Sequence, residues 1–118
     1  CNKLLSITIS NGVTRIGSYT FYGCSSLKSI TIPNSVKEIQ YGAFESCKSL
    51  ASITIPSSVT EIGSGAFYNC TGLKSITIPS SIKEIEYNTF NGCTSLTNVT
   101  ISTHNQWRYV STINVVFC

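Results

Sequence analysis

The chain has 118 residues, 42% hydrophobic and 11% charged, with a net charge of +3. That balance gives one globular domain rather than a disordered segment. Its basic residues form no run, which argues against a nucleic-acid footprint, and no apolar stretch is long enough to insert in a membrane.

Cys1, Cys24, Cys47, Cys70 and Cys93 stand 23 residues apart, and Cys118 follows after 25. Between them runs one unit, C-x-x-L-x-x-I-x-I-P-x-S-V-x-x-I-x-x-x-A-F-x-x, with small variations. A fixed period of this length marks a solenoid, whose function is sought in columns of equivalent residues rather than in a closed pocket. The chain contains no methionine and opens at Cys1 inside a repeat. It therefore reads as a fragment of an array that is longer at the N-terminus.

Each coil is predicted to contain the same elements in order. Leu27, Ile30 and Ile32 place a strand whose apolar side chains share one face. Pro33 ends it, because proline has no N–H for the ladder. Asn34-Ser35 turns the chain, and Val36 and Ile39 mark a short second strand. Ala43, Phe44 and Cys47 are spaced like one helical or 3₁₀ turn. Stacking the coils gives inward columns of Leu, Ile, Val and Phe, and a parallel sheet about 24 Å long at ~4.8 Å per strand.

The predicted fold is thus an α/β repeat solenoid of about five 23-residue coils. A parallel β-sheet covers one face, and short second strands and 3₁₀ turns the other. The repeats span residues 1–101. Residues 102–118 break the pattern: Ser102 replaces the proline, and Trp107 is the only tryptophan. This tail reads as a C-terminal cap, the rival being a degenerate sixth coil.

The repeat resembles the leucine-rich repeats of the BspA-like class, the Treponema pallidum type. The resemblance is carried by the L-x-x-I-x-I-P strand, the S-V-x-x-I-G step and the A-F-x-x-C turn, the last two running through Val59–Cys70. It implies a leucine-rich solenoid in a cell-surface or secreted protein of anaerobic bacteria or parasitic protists. It further implies non-enzymatic adhesion to a host extracellular-matrix protein or another cell's surface. It carries no catalytic residue, no cofactor and no metal ligand to transfer.

Two surfaces are candidate binding sites. The first is the outward strand face, where Thr31, Thr54 and Thr77 form one hydroxyl column and Ser29, Ser52 and Ser75 its neighbour, with Lys28 and Lys74 at the strand edge. It reads either as cross-strand pairs that solvate the sheet or as a partner-binding surface; a glycan is the other ligand class. The face also looks like the Thr-x-Thr arrays of ice-binding β-solenoids. The second surface follows from a finer alternation of odd and even coils, a duplicated 46-residue unit that sets Tyr41, Tyr68 and Tyr87 along one flank. A spacer projecting another domain, or an intracellular protist scaffold, would need neither.

The remaining chemistry-bearing residues point to no reaction. The cysteines follow the Phe turn and are expected inside as free thiols, although stacked neighbours such as Cys24–Cys47 and Cys70–Cys93 would lie within disulfide reach. Glu38, Glu61 and Glu84 stack beneath Arg15 as a solvated column. His104 is the single histidine and has no positioned nucleophile in the pattern.

Overall fold

A computed structural model describes residues 3–82, 84–86 and 88–101. The Trp107 tail and its capping role lie outside them. The chain winds as a parallel-strand solenoid, with no helix among the described residues. In chain order the strands are β1 (Ser6–Thr8), β2 (Arg15–Ile16), β3 (Ser29–Thr31), β4 (Glu38–Ile39), β5 (Ser52–Thr54), β6 (Glu61–Ile62), β7 (Ser75–Ile78) and β8 (Asn98–Ile101).

The 23-residue period sets the register. β1 pairs in parallel with β3, Ser6 opposite Ser29 and Thr8 opposite Thr31. β7 pairs the same way with β5 and β8, so Thr54, Thr77 and Thr100 stand side by side. Because side chains alternate across a strand, this register sends Ile53 and Ile76 into the core and leaves the serines and threonines outside. Each proline closes the turn that ends its strand. Pro33, Pro56 and Pro79 accept from the amides of Val36, Val59 and Ile82 at 3.1–3.2 Å.

Behind the strands the core is a set of columns. Leu27, Leu50, Leu73 and Leu96 are buried, as are Phe44, Phe67 and Phe90. The phenyl rings of Phe21, Phe44, Phe67 and Phe90 stack along the axis, with centroids 5.3, 5.3 and 5.7 Å apart and planes within 17°. In the first coil Leu4, which belongs to the leucine column, is 45% exposed and Phe21 is partly buried.

The Phe segment differs from the expected helical or 3₁₀ turn. Single turns follow one another, closed by the amides of Cys24, Cys47, Cys70 and Cys93 donating to the Phe carbonyls three residues earlier. A left-handed residue interrupts each: Gly23, Ser46, Asn69 and Gly92 have φ between 61° and 85°. A right-handed helix cannot pass through that conformation, so the segment coils tightly without becoming helical.

Cys47, Cys70 and Cys93 are free and buried, as expected of inward thiols. Each donates to the Phe carbonyl of the coil before, Cys47 to Phe21 at 3.2 Å, Cys70 to Phe44 at 3.0 Å and Cys93 to Phe67 at 3.1 Å. Neither Cys24–Cys47 nor Cys70–Cys93 is bridged. Cys24 departs from the free-thiol expectation, being disulfide-bonded. Burial pushes the Cys47 thiol up to about 11. Pairing with the Cys93 thiol first, and burial second, raise that of Cys70 still further.

The single long sheet expected from stacking does not form. β1–β3 is one sheet, β5–β7–β8 a second and β2–β4–β6 a third. The strand face is therefore cut between β3 and β5, while the second-strand ladder runs unbroken across that junction through Glu38 opposite Glu61 and Ile39 opposite Ile62. The Phe turns also hold there, with Gly42 donating to Ser64, Phe44 to Ala66 and Ser46 to Tyr68. At the next junction β5 and β7 pair, and among the described residues no strand follows β6 in its ladder.

Candidate recognition surface

The strand face carries the predicted hydroxyl array. Lys28, Ser29, Thr31, Ser52, Thr54 and Lys74 are exposed, and Ser75 and Thr77 are half-buried. No charged side chain lines the centre of the face. There the gap between β3 and β5 is a groove of about 480 Å³, bounded by Ser29–Ile32 and Asn34 on one side and by Ser52–Thr54 and Pro56 on the other.

Hydrogen bonding shows how far this seam extends. In the paired junctions the amide after the column leucine reaches across: Lys28 donates to Leu5, Lys74 to Ala51 and Thr97 to Lys74, at 2.8–3.1 Å. No such bond runs from the Ala51 amide to Lys28. The seam continues past the proline turn. Ser35 donates to Val13 at 2.7 Å and Ser81 to Val59 at 2.6 Å, each bridging two coils. Ser58 holds the equivalent position at the open junction, and its buried hydroxyl has no partner. The seam thus leaves hydrogen-bonding groups open in the middle of the hydroxyl face.

The tyrosine flank is arranged differently from the expected row. Tyr41 joins Tyr19 and Tyr22 rather than Tyr68. The Tyr19 ring meets Tyr22 at 5.6 Å and 88°, and Tyr41 at 5.3 Å and 86°, both edge-to-face. Tyr19, Tyr22 and Tyr41 are 46%, 55% and 48% exposed. Tyr68 is exposed without belonging to this cluster, and Tyr87 lies outside the described residues. A hydrogen bond with Tyr41 is the main reason the Tyr19 phenol is pushed up to about 12, and the Glu45 carboxylate contributes. Column reasoning missed Tyr19. The available signal is a tyrosine at the position held by Gly42 and Gly65 in the following coils.

The acidic column is a loose row, with Glu38 and Glu61 on β4 and β6. Arg15 Nε lies 3.9 Å from Glu38 Oε1, which also accepts from Gln40 at 2.6 Å. Glu61 and Glu84 are exposed. Among the described residues no group of three or more His, Cys, Asp and Glu side chains converges on a metal, and no helix is long and apolar enough to cross a membrane.

This geometry defines a leucine-rich repeat solenoid, a class whose members serve generally as protein-interaction modules. Residues 1–111 match the model of the BspA type leucine rich repeat region, in six copies. The chain belongs to that family. Among solved structures it is similar to a leucine rich cell surface protein from Faecalibacterium prausnitzii, at 30% identity and a TM-score of 0.78, covering 95% of this chain and 34% of that one. It is also similar to the T. pallidum leucine rich repeat protein, at 31% identity and a TM-score of 0.65, covering 85% of this chain and 57% of that one. A leucine-rich repeat protein from Eubacterium ventriosum matches at 32% identity and a TM-score of 0.68, covering 81% and 32%. The chain thus spans between a third and three fifths of these proteins' lengths. No curated protein matches it.

Proposed function

We propose that this chain is a non-enzymatic recognition module that binds a protein through its strand face, within a cell-surface or secreted adhesin. The seam between β3 and β5 carries the reading. Ser29, Thr31, Ser52 and Thr54 offer hydroxyls there beside strand edges that do not pair with each other. An unpaired polar group gains most from a partner that both bonds it and excludes water. The uncharged centre, with Lys28 and Lys74 at its rim, suits a neutral polar partner surface such as a host extracellular-matrix protein. Weak contacts repeated along the axis would add through multivalency. The family membership and the description of the F. prausnitzii relative as a cell surface protein support placing it outside the cell.

The test is binding of the folded chain to a panel of matrix proteins and mucin glycans, beside a variant with Thr31, Thr54 and Thr77 changed to Glu. Saturable protein binding lost in the variant, with an unchanged circular dichroism spectrum, is the expected result. Binding that survives the substitutions would move the site off the strand face. Binding by neither form would favour a spacer.

A further inference from the structure

We infer that Tyr19, Tyr22 and Tyr41, together with Glu45, form a second docking site that takes an arginine side chain of a protein partner. The inference rests on the chain being a protein-recognition module but not on the strand face, because the cluster uses the turns rather than the strands.

Backbone strain is the first observation. Tyr19 has φ of 60°, a left-handed conformation that is an outlier for a bulky residue. The same position is glycine in the next two coils, Gly42 and Gly65, also left-handed. A coil therefore closes without a tyrosine there, and with less strain. Strained residues persist where the surroundings hold them, and they collect at binding sites.

The second observation is the fit around Gly42. A Cβ at that residue would lie 2.6 Å from Tyr19 Cε1 and 3.1 Å from Glu45 Oε2. The missing side chain lets a phenol ring and a carboxylate settle together above the backbone. The Tyr41 and Tyr22 rings stand nearly perpendicular to the Tyr19 ring, and all three are about half exposed.

Charge is the third feature of the cluster. The faces of three electron-rich rings and one carboxylate attract a cation. Among the described residues the only ion pair is Arg15 with Glu38, so no cation neutralises Glu45. Arginine fits better than lysine: its planar guanidinium stacks on a ring while its N–H groups reach a carboxylate. The cluster is an open ledge rather than a closed cage, which favours a side chain presented by a protein over a small free ammonium ion.

The probe is the peptide acetyl-Gly-Arg-Gly-Arg-Gly-amide, titrated into the whole chain while the tyrosine ring signals are followed by NMR. Lysine and glutamate versions of the peptide and a neutral disaccharide run beside it. The expected result is saturable movement of the Tyr19, Tyr22 and Tyr41 signals by the arginine peptide, at an affinity on the order of millimolar. The lysine peptide should act more weakly, and the glutamate peptide and sugar not at all. Tyr19→Gly and Glu45→Gln should each weaken binding by about threefold to thirtyfold. Tyr19→Gly should melt no lower than the parent, because it relieves the left-handed strain; a merely structural tyrosine would lower the melting point. Should Tyr19→Gly fail to fold, Glu45→Gln carries the test alone. No movement with the arginine peptide, equal movement with all peptides, a response to the sugar instead, or unchanged affinity in Glu45→Gln would each overturn the proposal. The Thr31, Thr54 and Thr77 to Glu variant separates the two sites: it should keep the peptide response whether or not the strand face binds a partner.

Discussion

At the scale of single residues, the core columns show which positions are well matched and which are not. Ala43, Ala66 and Thr89 occupy one buried column, but the Thr89 hydroxyl is fully enclosed and has no hydrogen-bond partner. Thr89→Ala should therefore be neutral or stabilising, by up to about 1 kcal/mol, as read by urea unfolding; a clear loss would mean that the hydroxyl is bonded. The cysteine column behaves oppositely, since each thiol completes a bond to a Phe carbonyl. Cys47 and Cys70 should resist a disulfide reagent in the folded chain and react once it is unfolded, because only the thiolate attacks and their burial opposes it. The pH dependence has a definite sign. The Cys47 thiol is raised from 9.0 to about 11. Below pH 9 it is protonated in both folded and unfolded chains and costs nothing. Between about pH 9 and 11 it ionises more readily when unfolded, so stability falls as pH rises. A Cys47→Ala chain should lose less stability over that interval.

At the scale of elements, register is readable from the sequence and ladder continuity is not. The alternation in Ser29-Ile30-Thr31 says which side chains face the core, and a one-residue slip would reverse every face. With a 23-residue period this suffices to pair Thr54 with Thr77 and Thr8 with Thr31. β1, β3 and β5 share the sequence Ser-Ile-Thr, yet β1 pairs with β3 and β3 does not pair with β5. Identical strands cannot encode that difference. The difference therefore lies outside the strands, where the β4–β6 ladder and the Phe turns join the same two coils. The Phe turn has the apolar spacing of one helical turn, and the left-handed residues that keep it from extending into a helix include Ser46 and Asn69 as well as glycines. Amide hydrogen exchange should show the seam in the free chain. The Ala51 amide should exchange faster than those of Lys74 and Thr97, which donate across paired junctions. Equal protection at the three positions would mean that the sheet is continuous.

At the scale of the whole molecule, the solenoid separates its tasks by face. Aliphatic and phenyl columns hold the coils together inside. The strand face presents hydroxyls cut by one seam, and the turn flank presents tyrosines gathered at one pair of coils. The hydroxyl array is legible in the sequence because Thr recurs in every coil and Ser in four of the five. The Tyr19 cluster is not legible in the columns, because Tyr19 occurs once, at a position held by Gly42, Gly65 and Asn88 in the following coils. The central claim, recognition through the strand face at the β3–β5 seam, is tested most directly by amide exchange on the chain bound to the matrix protein that it captures best. The account expects protection concentrated at residues 28–31 and 51–54, with β2, β4 and β6 unchanged. Protection confined to those second strands or to the tyrosine turns, with the seam still open to exchange, would contradict it.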